Sequence, residues 1–119
     1  MSLIGLVKKV KFYITVEKIQ ITSATVTAYN KAPEDVELIE AELQVSQGFG
    51  ANALLDLRNK NGDVIIKSKY LIANTVISSR KHLDISYIFE TAADQIDCHF
   101  TNASGGSANL FLTIRRKLL

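Results

Sequence analysis

Apolar and polar positions alternate with a period of two along most of this chain. Val10, Phe12, Ile14 and Val16 alternate with Lys9, Lys11, Tyr13, Thr15 and Glu17, which predicts a strand with one buried and one wet face. Ile19 and Ile21 open a second set that continues as Ala24, Val26 and Ala28. The parity changes near Thr22-Ser23, the mark of a bulge or of a strand that switches sheets. Asn30 to Asp35 reads as a turn and holds the only proline, Pro33. Ile39, Ala41, Leu43 and Val45 then alternate with Glu40, Glu42 and Gln44. The glutamates and leucines of this stretch also suit a helix, but the alternation favours a strand. After a loop at Gln47-Gly48-Phe49-Gly50, Ala53, Leu55 and Leu57 form the inward set of a short strand. Asn59-Lys60-Asn61-Gly62 carries an Asn-Gly hairpin signal, with Val64, Ile66 and Tyr70 on the return. Leu83, Ile85, Tyr87 and Phe89 alternate, as do Ile96, Cys98 and Phe100. A loop over Thr101 to Ser107 leads to a last strand with Leu110, Leu112 and Ile114 inward.

About eight strands and no convincing amphipathic helix predict an all-β fold. The expected architecture is an antiparallel β-sandwich, jelly-roll-like, in a single domain over residues 1–119. Without crossover helices a parallel β/α fold is excluded. The expected interior holds Phe12, Ile14, Leu43, Val45, Leu55, Leu57, Ile85, Tyr87, Phe89, Ile96, Phe100, Leu112 and Ile114. The length of 119 residues suits one core without staples. Fourteen basic against twelve acidic residues leave a net charge of +2, too balanced to suggest nucleic-acid binding. The lone Cys98 allows no internal disulfide. The start reads as no signal peptide, because its apolar run is short and its charges follow that run. No run reaches the roughly 20 apolar residues that span a bilayer. A protein made in a cytoplasm, without membrane contact, is the expectation.

Candidate chemistry is thin. Zinc needs three or four convergent ligands, and the chain offers His82, His99 and Cys98. Cys98 points away from Asp97 and His99 on a strand, which disfavours both a metal site and a Cys-His nucleophile. Cys98 is in phase with Ile96 and Phe100 and is expected in the core. Paired carboxylates such as Glu40 with Glu42, or Asp94 with Asp97, fall on polar faces or turns. The Gly48/Gly50 and Gly105/Gly106 loops lack the lysine-serine pair and helix of a phosphate loop. No catalytic residue, cofactor or metal is expected. Lys8-Lys9-Lys11 and Arg115-Arg116-Lys117 read as solvated or edge-protecting charge.

Apolar residues out of phase carry more information. Leu54, Ile65, Leu71, Ile88 and Phe111 fall on the face opposite the expected core, which marks them as candidate interface residues. Residues 1–8 are a candidate docking arm. Two further features belong with these. Glu40-Ala41-Glu42-Leu43-Gln44-Val45 precedes a small-residue loop and the short Leu55-Asp56-Leu57 strand with its Asn-Gly hairpin. Ala93-Asp94-Gln95-Ile96-Asp97 precedes a Ser-Gly-Gly-Ser loop and the closing strand Leu110-Phe111-Leu112-Thr113-Ile114.

With these features the stretch from Glu37 to Leu119 resembles small β-sandwich virion proteins of tailed bacteriophages, of the head-fibre, decoration and tail-accessory type. The resemblance implies a non-enzymatic structural protein, made in the host cytoplasm and resident in the virion. It also implies contacts with other virion proteins and with copies of itself, a trimer among closed forms. The rival expectation is a carbohydrate-binding or other ligand-binding sandwich, for which Tyr13, Tyr29, Phe49 and Phe111 are the candidate exposed aromatics.

Overall fold

The structure, a computed structural model, describes residues 11–86, 88, 89 and 94–118. Among the described residues eight strands follow one another: β1 (Phe12–Thr22), β2 (Tyr29–Asn30), β3 (Asp35–Gln47), β4 (Leu54–Arg58), β5 (Tyr70–Leu71), β6 (Arg80–Leu83), β7 (Gln95–Thr101) and β8 (Ser107–Lys117). A 3-10 turn, Ile72–Asn74, follows β5. One sheet has the order β1-β8-β3-β6 and the other β2-β7-β4-β5, with every pairing antiparallel.

The topology has a simple origin. β1 pairs with β8, β2 with β7, β3 with β6 and β4 with β5, as in one long antiparallel hairpin with its tip between β4 and β5. The hairpin is rolled so that β3 also meets β8 and β4 also meets β7. That is the jelly roll, and it holds the two sheets face to face. One contiguous core joins them. It includes Ile21, Leu38, Ala41, Leu43, Val45, Leu110, Leu112 and Ile114 from one sheet and Leu55, Leu57, Ile96 and Cys98 from the other. The stretch from Glu34 to Leu43 is strand, as its alternation predicts, and the chain changes sheets after Thr22.

Several expected phases are corrected. β1 pairs with β8 in an unbroken register from Phe12↔Lys117 to Thr22↔Ser107. Alternation is therefore continuous, and with Ile21 buried every even-numbered residue faces out. Phe12, Ile14 and Val16 are exposed, not core. In β3 the register shifts between Leu38 and Glu40, so Leu38 is buried and Ile39 faces out. Val26 and Val64 are exposed, and Ile65 is buried together with Ile66. Phe89 is buried, while Ile85 and Phe100 are half-buried against the core. Val10 and Tyr87 lie outside the described residues.

The Asn59 turn forms, but not as a two-residue loop. Asn59 and Asp63 bond through Asn59 N–H to the Asp63 carbonyl at 2.9 Å, and the Asn59 side-chain oxygen accepts from Asn61 and Asp63 N–H. Of the Asn61-Gly62 pair only Gly62 has positive φ, at 86°.

Candidate functional site

The five candidate interface residues do not gather on one surface. Ile65 is 1% exposed inside the core of the single chain. Its N–H donates to the Leu57 carbonyl at 2.8 Å and its carbonyl accepts from Ser86 N–H at 2.7 Å, which fixes an irregular segment with both Ile65 and Ile66 inside. Its apolarity is satisfied within the chain, so it is not an interface residue. Phe111 does lie on the outer face of its sheet, but it is 7% exposed. The Arg80 guanidinium covers its ring at 3.8 Å and the Lys18 ammonium stands at 6.0 Å. Leu54 and Leu71, opposite one another in the β4–β5 pair, are half-buried. Ile88 is exposed and borders a shallow depression of about 330 Å³ with Ile39 and Ile85.

The charged cluster at the end of β8 divides by strand phase. Arg115 faces out, its guanidinium 4.4 Å from the centre of the Phe12 ring. Arg116 faces in, because 116 continues the buried set of Leu110, Leu112 and Ile114. There it meets three carboxylates: Glu17 at 2.6 Å, Asp35 at 2.8 Å and Glu34 at 3.1 Å. It also donates to Thr15 Oγ1 at 2.8 Å and to the Tyr29 hydroxyl at 3.1 Å. Tyr29 in turn donates to Asp35 Oδ2, which also accepts from Ala32 N–H at 2.9 Å. Asp35 Oδ1 meets Arg116 as an ion pair without an aligned hydrogen bond. Burial, then the bond to Asp35, hold the Tyr29 phenol well above its ordinary pKa. Burial alone would lower the Arg116 pKa, but Tyr29, Asp35 and Glu17 outweigh it and keep the guanidinium charged. The network joins β2 of one sheet to β1, β3 and β8 of the other. It has one cation against three carboxylates, so it is acidic when all three are ionised.

A cleft of about 310 Å³ lies between the β5 and β6 edges, lined in part by Ser68, Tyr70, Lys81, His82 and Asp84. His82 Nδ1 lies 3.3 Å from Glu40 and Nε2 3.5 Å from Asp84. Both ring nitrogens therefore lie near carboxylates. Among the described residues no group of three or more His, Cys, Asp or Glu is placed to hold a metal ion. Cys98 is buried and free, its thiol pushed up to about 12 by burial and then by Asp97.

The aromatic candidates for a sugar platform are largely withdrawn from the surface. Phe49 is buried, stacked on Phe100 with centroids 4.9 Å apart and planes 7° from parallel. Phe111 lies under Arg80, and Tyr29 is held in the Arg116 network. Tyr13 remains exposed.

Among the described residues the longest run of outward apolar side chains on one strand belongs to β1. Phe12, Ile14 and Val16 are 41%, 62% and 59% exposed, on one face at successive alternate positions. Their alternation alone predicts a buried face for all three. The signal that places them outside is their parity, which is opposite to that of Ile19 and Ile21 in the same strand. The chain matches no known family model, and no curated protein matches it.

Proposed function

We propose that this chain is a non-enzymatic virion structural subunit of a tailed bacteriophage, made in the host cytoplasm and carried in the capsid or tail. It is held there by contacts with copies of itself and with other virion proteins, and it works without a cofactor. The observation that carries this reading is the exposed apolar stripe on β1 of a jelly roll. Exposed apolar patches are a common mark of protein–protein contact. The jelly roll is used by capsid proteins, but also by lectins and cupins, so the fold alone does not choose among them. Against the sugar-binding reading stand the buried rings of Phe49 and Phe111. Against a catalytic reading stands His82, with both nitrogens turned to carboxylates.

The test is mass spectrometry of gradient-purified particles from cells that carry the gene. The chain is expected in the particle fraction at many copies per particle. Particles that form and lack it overturn the reading.

A further inference from the structure

The two sheets present four edges, and they are not alike. In the second sheet the edge strands β2 and β5 are two residues each. In the first sheet β6 is four residues long and begins Arg80-Lys81-His82. Short or cationic edges resist pairing with another chain. β1, the remaining edge, is eleven residues long, and among the described residues no strand pairs with its outer side.

Its backbone is set for a partner. Leu118 N–H donates to the Lys11 carbonyl at 2.8 Å. Residues 11 and 118 are directly opposite in the register, so odd-numbered residues of β1 bond towards β8. In an antiparallel ladder the intervening residues turn their N–H and C=O the other way. Phe12, Ile14, Val16, Lys18 and Gln20 therefore direct theirs to the open edge. The first three are the residues with uncovered apolar side chains.

We propose that two copies of this chain pair antiparallel along β1, about a two-fold axis through Ile14. Ile14 then faces Ile14 of the second copy, and Phe12 faces Val16, so the apolar stripes meet on one face. On the other face Tyr13 stands opposite Thr15, and Lys11 opposite Glu17. Lys11 thereby brings a second cation to the acidic network around Arg116. Neighbouring registers are worse. An axis at Thr15 sets Phe12 against Lys18, one at Val16 sets Lys11 against Ile21, and one at Glu17 opposes two glutamates. The contact is isologous, so it closes on itself and does not propagate into fibres. It joins the two four-stranded sheets into one of eight strands. The inference rests on the assembly part of the proposed function and not on residence in a virion. It replaces the trimer that the resemblance implies with a pair.

Size exclusion with light scattering tests the state, and engineered cysteines test the register. The full chain is expected at twice 13.1 kDa. Ile14→Lys, at an exposed position, is expected to weaken the dimer at least tenfold with an unchanged circular dichroism spectrum. Opposed residues in a hydrogen-bonded antiparallel pair lie about 5.5 Å apart at Cα, within disulfide range. Mild oxidation should therefore cross-link Ile14→Cys to itself. Val16→Cys lies four residues, about 13 Å, from its own copy along the strands and should not cross-link. The wild type, with only buried Cys98, is the control. A wild-type monomer at millimolar concentration overturns the proposal, and so does a dimer in which Val16→Cys cross-links and Ile14→Cys does not. If Ile14→Lys fails to fold, the cysteine pair still decides. A dimer that is missing from particles overturns only the virion reading, and a monomer found in particles overturns only this one.

Discussion

Replacing Arg116 with methionine removes the one cation paired with Asp35 among the described residues, and Asp35 is 1% exposed. Methionine keeps much of the aliphatic stem, so the loss is mainly of charge and hydrogen bonds. Five partners lose their contact: Thr15, Glu17, Tyr29, Glu34 and Asp35. Glu17 and Glu34 retain access to water, and losing a screened pair of that kind costs about 1 kcal/mol or less. Asp35 has no such access. It keeps Tyr29 and the Ala32 N–H as partners but has no compensating charge. Removing one member of a buried ion pair costs about 3–5 kcal/mol, mostly as the penalty on the charge left behind. Against a total stability on the order of 5–15 kcal/mol the protein should still fold, with a clearly lower urea midpoint.

The reasoning makes a sharper statement about the double variant. Asp35→Asn removes the charge that Arg116 neutralises, so Asp35→Asn with Arg116→Met should cost less than the two single changes added together. A coupling of about 1.5–3 kcal/mol is expected, within the range for residues in one network. Urea unfolding of the four proteins at pH 7, followed by circular dichroism, gives the cycle. Additive costs, or a cost of Arg116→Met below about 1 kcal/mol, would show that water reaches Asp35 and that the network is a surface feature.

Three other outcomes follow from the packing and the titrations. Gly106→Ala builds a Cβ 2.4 Å from the buried Phe49 ring at a φ of 104°, so backbone strain and overpacking should together cost about 2 kcal/mol or more in urea unfolding; a loss under about 0.5 kcal/mol would mean that the ring moves aside freely. Ile65→Asp should abolish the folded circular dichroism spectrum by burying an unpaired carboxylate, whereas a folded variant with altered mass would return Ile65 to the surface. The Cys98 thiol keeps its proton up to about pH 12 in the folded chain but ionises near 9 when unfolded, so its contribution is present below pH 9 and is lost as pH rises above it. Between pH 8 and 10.5 the stability of the wild type relative to Cys98→Ala should fall by about 2 kcal/mol, and a gap that does not change with pH would place the thiol in contact with water.

The period-two pattern was enough for the fold class, because a sandwich needs one apolar face per strand and the sequence alternates in nearly every segment. It also marks an irregularity near Thr22, where the pattern allows a bulge or a change of sheet and the chain changes sheet, and the turn at Asn59. The pattern says which residues share a face, not which face is inside. β1 shows the difference. Its first half is apolar at even positions and its second half at odd positions, and only the unbroken pairing with β8 shows these to be two faces of one straight strand. The bulge near Ile39 and the irregular path through Ile65 and Ile66 are set by backbone hydrogen bonds to distant segments, which no local pattern carries. Arg116 was legible in principle, since it continues the inward phase of Leu110, Leu112 and Ile114. Three consecutive basic residues read as a solvated cluster, which masks that phase.

The exposure on β1 is not a by-product of the fold. This sandwich covers another outward ring with a long cation: Arg80 lies on Phe111. The same sheet uses Thr113 and Asn109 at outward positions of β8, where apolar residues would serve the core no better. On β1 the inward side supplies Ile19 and Ile21 to the interior, and nothing inside depends on Ile14 or Val16 being apolar. Threonine at either place would also suit a strand and would give a more soluble edge. On the proposed pairing, isoleucine and valine at 62% and 59% exposure have a cause outside the single chain. The backbone names that cause, because the residues with uncovered side chains are the ones whose N–H and C=O face the open edge. A flat ligand resting on the sheet would use the side chains and leave the backbone row unpaired. A second strand uses both, and of the strands whose sequence is at hand, β1 itself offers Val16 to Phe12, Ile14 to Ile14 and Glu17 to Lys11.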